Sequence, residues 1–123
     1  MVITGGASGI GLAIAKALLR EKNAVIVLGR SAEKLEQASR EAPGLVTLTC
    51  DVTDEASLRA AMARITAEHP GFNMLVNAAG VSRACQFAQD DGAIAQARLE
   101  IGTNLLGTVI ATKLALGHLL TRP

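Results

Sequence analysis

Apolar residues recur along this chain in two rhythms, and the rhythms alternate. Val2 and Ile3 form a short strand-like lead; Ile10, Ala13, Ile14, Ala17 and Leu18 then fall at i, i+3, i+4, i+7 and i+8, the spacing of one helix face. Lys22 and Asn23 supply the stop. Ala24-Val25-Ile26-Val27-Leu28 is a continuous, largely β-branched run, as a parallel strand covered on both faces requires. Ser31 is a good N-cap with Glu33 in the first turn, and Leu35 and Ala38 carry a helix to about Ala42 before Pro43-Gly44 breaks it. Leu45 to Thr49 is the next strand. Thr53 or Asp54 caps a helix whose Leu58, Ala61, Met62 and Ile65 share a face until His69-Pro70-Gly71. Met74 to Asn77 is a fourth strand, a polar loop runs to about Gly92, and Ala93 to Leu120 reads as a helix, kinked near Gly102, with a wide apolar arc.

The predicted order is therefore β-α-β-α-β-α-β-α, with no repeat or low-complexity linker. Such alternation makes an α/β fold, a parallel sheet with right-handed crossovers and helices on both faces. Ligands of such sheets bind beyond the carboxyl ends of the strands, where strand order reverses. Each polar motif here falls at such an end: Thr4 to Gly11, Gly29-Arg30, Asp51-Val52, and Asn77 to Gly80. The first gathers backbone N–H groups and the positive end of a helix dipole around one small volume, and an anion is its natural occupant.

Composition narrows the choice. At 123 residues the chain is one domain or part of one, and Met1 stands where a longer first strand should be under way, so a clipped N-terminus is expected. Its net charge of +1, without a basic block, favours neither nucleic acid nor an anionic membrane surface. Two Phe and no Trp or Tyr leave no platforms for stacking single-stranded bases. Cys50 and Cys85 form no CxxC or Cys/His cluster, so they read as reduced, partly buried thiols rather than metal ligands; no metal is expected. No secretory signal is visible, and a cytoplasmic location is expected. Ile101 to Thr112 spans about a dozen uncharged residues and contains Asn104, against roughly 20 for a membrane span, so it reads as a buried helix.

Two nucleotide readings compete for the opening turn. A P-loop needs GxxxxGK[ST]; Gly6 and Gly11 have the spacing, but Leu12-Ala13 stand where Lys and Ser/Thr belong. Strict GxGxxG is absent too, because the glycines fall at 5, 6, 9 and 11. What stands there is TGxxxGxG. With Thr4-Gly5 and Gly9-Ile10-Gly11, Asp51-Val52, Asn77-Ala78-Ala79-Gly80, and Asn104 followed by Leu105 and Gly107, the chain resembles the short-chain dehydrogenase/reductase family over its whole length.

The resemblance implies a doubly wound, Rossmann-like sheet, truncated after about four βα units, with residues 1–123 forming an incomplete NAD(P)-binding domain. It implies that the turn wraps the cofactor pyrophosphate: Gly5 allows the turn, Gly9 the close backbone approach and Gly11 the packing of helix against strand, with Ser8 and Ile10 contributing contacts near the phosphates. Asp51 would accept from the adenine amino group and the Val52 backbone would add a contact; Asp51 also reads as a plain turn carboxylate. Asn77, Ala78, Ala79 and Gly80 would flank the adenine ribose and sheet centre, although an ordinary strand-ending turn explains Gly80 equally well. Asn104 would help hold a water in the family's proton relay; the alternative is a buried Asn satisfied by backbone.

Cofactor choice turns on the end of the second strand. A carboxylate there binds the ribose hydroxyls of NAD; here the site holds Gly29 and Arg30, whose planar fork of donors suits the 2′-phosphate of NADP, with NAD the alternative. The plainer reading of Arg30 is a solvated cation at a helix start. Ser31 could assist or simply cap, and Glu33 lies close by in sequence.

An absence sets the limit. The family's proton donor is the Tyr of YxxxK, activated by its Lys, with a Ser orienting the substrate oxygen. This chain has no Tyr, and Lys16, Lys22, Lys34 and Lys113 follow no candidate acid at that spacing. His69 and His118 could carry protons but fall at helix ends remote from the strand ends. The chain is thus expected to be the NADP(H)-binding portion of an oxidoreductase acting on a carbonyl/alcohol pair, inactive alone, with a small-molecule substrate only in a complete enzyme. Arg83, Gln86 and Gln89 could line an entrance to the site, though polar loop residues usually have no such role. The alternative is a non-catalytic nucleotide-binding or interaction module completed by a partner: with strand order 3-2-1-4 the Met74 to Asn77 strand is an exposed edge, and self-association through it or the last helix is expected.

Overall fold

A computed structural model describes residues 1–122. The elements are β1 (Val2–Thr4), α1 (Gly9–Arg20), β2 (Ile26–Gly29), α2 (Ala32–Glu41), β3 (Val46–Thr49), α3 (Glu55–Glu68), β4 (Leu75–Asn77) and a long helical run. That run divides into α4 (Ala93–Glu100), a π-helical stretch (Ile101–Leu106) and α5 (Gly107–Leu119). The expected kink near Gly102 takes the form of this π stretch, where the Gly107 N–H reaches back five residues to the Gly102 carbonyl.

The four strands form one parallel sheet in the order β3-β2-β1-β4. Val2, Ile3 and Thr4 pair with Ile26, Val27 and Leu28 on one side and with Leu75, Val76 and Asn77 on the other. Alternation then divides the core. Ile3, Val25 and Val27 pack with Ala15 of α1 and with Leu35 and Ala38 of α2 on one face. Val2, Ile26 and Leu28 pack with Leu58, Met62 and Ile65 of α3 and Ala111 and Ala115 of α5 on the other. Burial on both faces is what the unbroken apolar run of β2 requires. The chain steps from β1 through β2 to β3 and then returns to the far side of β1, so order reverses between β1 and β4 and a crevice opens above their carboxyl ends.

Local chemistry sets the element ends. Ser31 Oγ accepts from Lys34 N at 3.2 Å, and Asp54, rather than Thr53, caps α3 by accepting from Ala56 N and Ser57 N. Helix α1 ends as Lys22 turns to φ 62° and Asn23 directs both its backbone and side-chain N–H to the Leu18 carbonyl.

Three expectations are corrected. The predicted face of α1 holds only in part: Ile14 and Leu18 pack against the core, but Ile10, Ala13 and Ala17 are exposed and the fully buried residues are Gly11 and Ala15, because small residues permit the closest approach to the sheet. The stretch Ile101 to Thr112, expected to be a buried helix, is largely exposed and belongs to the longer run 93–119. That run is long and apolar enough to cross a membrane by length and composition, yet only 22% of that apolar window is buried. A stripe at fourfold spacing, Thr103, Gly107, Ala111 and Ala115, faces inward, while Ile101, Leu105, Leu106 and Val109 face out. Finally, the two thiols differ: Cys50 is buried, and desolvation pushes its thiol above the usual range, whereas Cys85 is exposed.

Candidate functional site

A cleft of about 640 Å³ runs along the carboxyl ends of the strands, within the range of small-molecule sites. Eleven residues expected from the sequence line it: Gly5, Ser8, Gly9, Ile10, Gly11, Arg30, Ser31, Val52, Ala78, Ala79 and Gly80. They come from four separate strand ends, and the sheet brings them together.

The glycine-rich turn is built by backbone contacts. The N–H groups of Gly5 and Gly6 both donate to the Leu28 carbonyl, fixing the turn on β2. Gly5 has φ +68°, and a Cβ there would lie 2.5 Å from the Ala79 Cα, so the first and fourth strand ends touch through a missing side chain. Gly6 performs the packing expected of Gly11: its Cβ would stand 2.4 Å from Val27 Cγ1, while that of Gly11 would meet the Gly5 carbonyl oxygen, not a strand. Gly9, at φ +54°, has nothing within 4 Å of its notional Cβ. The backbone there faces open space.

Helix α1 begins without compensation. Ser8, its N-cap, makes no side-chain cap bond and the first turn carries no acid, whereas α2 and α3 have both. The N–H groups of Gly9, Ile10 and Gly11 have no acceptor among the described residues. Unpaired amides at a positive dipole end, beside glycine backbone open to approach, are the chemistry that receives an anion. Ile10, 78% exposed, lines the same cleft with an apolar side chain.

At the end of β2, exposed Arg30 forms no ion pair among the described residues and lines the cleft beside Ser31. Lys34 lines the same wall, likewise without an ion pair. Sequence reasoning missed this second cation. The available signal is its place in the first turn after Ser31, which returns its side chain toward the strand end.

Three expected residues do not line the cleft. Asp51 Oδ1 accepts from Thr53 N at 2.9 Å and Thr53 Oγ1 at 2.7 Å, a local turn clasp. Asn77 Nδ2 donates to Thr112 Oγ1 at 3.0 Å and ties β4 to α5. Asn104 is exposed rather than buried, and its amide pairs with one peptide unit: Oδ1 accepts from Val81 N and Nδ2 donates to Val81 O, both at 2.8 Å. It fastens the π stretch to the turn after β4. That turn is also held by Thr4, whose carbonyl accepts from Ala78 N and whose Oγ1 accepts from Ala79 N.

The far wall comprises Cys50, Val52, Ala79, Val81 and Thr103, all uncharged. Among the described residues no three His, Cys, Asp or Glu side chains cluster for a metal. His118 stacks on Phe72 with ring centroids 4.3 Å apart, its Nε2 3.0 Å from the Phe72 carbonyl oxygen, and neither it nor His69 lines the cleft.

Comparison with known proteins agrees with this geometry. The family model described as short chain dehydrogenase matches residues 1–123. The chain is 36% identical over 123 residues to the uncharacterized oxidoreductase DltE of Bacillus subtilis, covering all of this chain and 49% of that protein. Among solved structures, serine dehydrogenase from Escherichia coli superposes with a TM-score of 0.87 at 26% identity, over 98% of this chain and 56% of that one. ElxO with NADP bound superposes at 0.86 with 28% identity, over 98% and 50% respectively. The chain thus spans about half the length of the relatives it matches.

Proposed function

The chain belongs to the short chain dehydrogenase family, and we propose that residues 1–123 form the NADP(H)-binding unit of an oxidoreductase interconverting a carbonyl and an alcohol. One observation carries the cofactor assignment: unpaired N–H groups at the start of α1 share a cleft with two cations, Arg30 and Lys34, at the end of β2. When bound, the dinucleotide supplies a hydride donor or acceptor at its nicotinamide ring. The chain's part is to bind and orient it. The turn would hold the pyrophosphate on backbone amides, Arg30, Lys34 and Ser31 would take the 2′-phosphate, and Val52 would meet the adenine, while Asp51 stays outside the cleft in its turn with Thr53. ElxO, a structural neighbour, carries NADP, which supports this reading.

The cleft offers no acid for the carbonyl. Its ionisable side chains among the described residues are Arg30, Lys34 and Cys50, whose thiol burial keeps protonated, and the chain contains no Tyr. We therefore propose that the chain alone binds cofactor and turns over nothing. Fluorescence titration with NADPH and NADH tests both parts. NADPH should bind more tightly, and Arg30→Asp should weaken NADPH about tenfold while sparing NADH. Equal losses for both would make Arg30 structural, and failure of the wild-type chain to bind either nucleotide overturns the assignment. Reduction of a carbonyl panel above background would refute inactivity.

A second reading, a binding module completed by a partner, is favoured by the free edge of β4 and by the exposed Ile101, Leu105, Leu106 and Val109. Unpaired edges and apolar faces promote association.

A further inference from the structure

Cys50 and Val52 both line the cleft, and the residue between them does not. Cys50 is fixed through its own N–H, which donates to the Gly29 carbonyl at 2.9 Å. Val52 is pressed by α5, where a Cβ on Gly107 would stand 2.9 Å from Val52 Cγ2. Asp51 joins the two, and its backbone N–H donates to Ser57 Oγ at 3.2 Å. Ser57 lies in the first turn of α3, half-buried and outside the cleft.

That bond departs from the usual start of a helix. With Asp54 at the N-cap, Ser57 is the third helical residue, and its N–H is taken by Asp54 Oδ1 at 3.2 Å. In a capping box the side chain at this position reaches back to the N–H of the N-cap residue. Here the Asp54 N–H is already given to the Asp51 carbonyl at 3.2 Å, so the Ser57 hydroxyl reaches past the N-cap to the Asp51 N–H. Its side chain also bears on the Cys50 thiol, where it alone opposes the upward push of burial and of the neighbouring carboxylates. One hydroxyl thus holds the middle of a short wall whose two ends are fixed by other means. Cys50 and Val52 reach the cleft while Asp51 faces its own turn with Thr53, so the orientation of the Cys50–Asp51 peptide decides which side chains a ligand meets.

We propose that Ser57 is a positioning residue for the nucleotide. It touches no part of the ligand; by accepting the Asp51 N–H it keeps Cys50 and Val52 turned to the cleft. The inference rests on the cofactor reading, in which Val52 meets the adenine.

Ser57→Ala deletes the hydroxyl, and Ser57→Thr keeps it. Affinities for NADPH and NADH are measured by calorimetry at a temperature at which each variant is fully folded, so that global stability does not enter, and hydrogen exchange is followed at the Asp51 amide. Ser57→Ala should bind both nucleotides more weakly by the same factor, between about threefold and tenfold, because the adenine is common to both and Arg30 is untouched. Its Asp51 amide should exchange faster. Ser57→Thr should match wild type in affinity and in exchange. Unchanged affinities in Ser57→Ala, with faster exchange at Asp51, overturn the inference and leave the hydroxyl a helix-start contact alone. A loss confined to NADPH overturns it as well, because the effect would then lie at the 2′-phosphate, and so does an equal loss in Ser57→Thr, which would make side-chain shape rather than the hydroxyl decisive. A wild-type chain that binds neither nucleotide overturns the cofactor reading itself, a result distinct from the others.

Discussion

Replacing Asn104 by Ala separates a positioning role from a merely exposed amide. The substitution removes two hydrogen bonds of 2.8 Å to the Val81 peptide group. A typical intramolecular hydrogen bond contributes about 0.5–1.5 kcal/mol net, and both of these are exposed, so water replaces part of each. The expected loss is about 1–2 kcal/mol, a sizeable share of the roughly 5–15 kcal/mol that holds a domain folded. For a chain of this size that lowers the melting temperature by about 4–8 °C. Thermal unfolding followed by circular dichroism measures the shift, and hydrogen exchange at the Val81 amide measures the local opening. Asn104→Asp should be no better than Ala: one oxygen still accepts from Val81 N, but the other faces the Val81 carbonyl where a donor stood. Because Gly80 and Val81 line the cleft, loosening them should also weaken NADPH binding. A melting temperature within about 1 °C of wild type, with unchanged exchange at Val81, would refute the reasoning.

Two glycines of the same turn should fail for opposite reasons. Gly6→Ala drives a Cβ to 2.4 Å from Val27 Cγ1 in the core and should cost about 1–3 kcal/mol in urea unfolding. Gly9→Ala meets nothing, so its stability cost is only that of a left-handed φ, about 1 kcal/mol, while its Cβ obstructs the approach to free amides and nucleotide affinity falls. The reverse ranking in stability would contradict the packing described. Glu100 supplies a pH dependence: hydrogen bonds from the Gln96 side chain and then the Arg83 backbone N–H hold its carboxyl below the ordinary 4.5. A depressed folded value means that the stabilisation is present above 4.5 and lost as pH falls through the lower folded value. Exchange at the Arg83 amide should therefore gain protection above that range, and Glu100→Gln should flatten the dependence; an identical profile in the variant would count against it. Sedimentation should show self-association at micromolar concentration, weakened by Leu105→Glu on the outward apolar face, and a stable wild-type monomer would end that reading.

What the sequence by itself determined is largely local. Alternating periods yield the order of strands and helices, glycine and capping residues mark the turns, and the four polar motifs fall at strand ends because a parallel sheet brings those ends to one edge. Eleven cleft residues are therefore legible in the sequence, among them Ser8, Arg30 and Val52. Tertiary structure decided what each side chain meets. Periodicity identifies an apolar face but not the surface opposite it, so of the predicted α1 face only Ile14 and Leu18 pack on the core, and much of the apolar stretch 101–112, expected to be buried, lies on an outward face. Asn104 finds Val81 across 23 residues and Thr4 holds Ala79 across 75, contacts that no window on the sequence contains. Lys34 reaches the cleft from the start of α2 and Thr103 from the π-helical stretch, and the unpaired state of the Thr103 hydroxyl exists only once packing has removed water from around it.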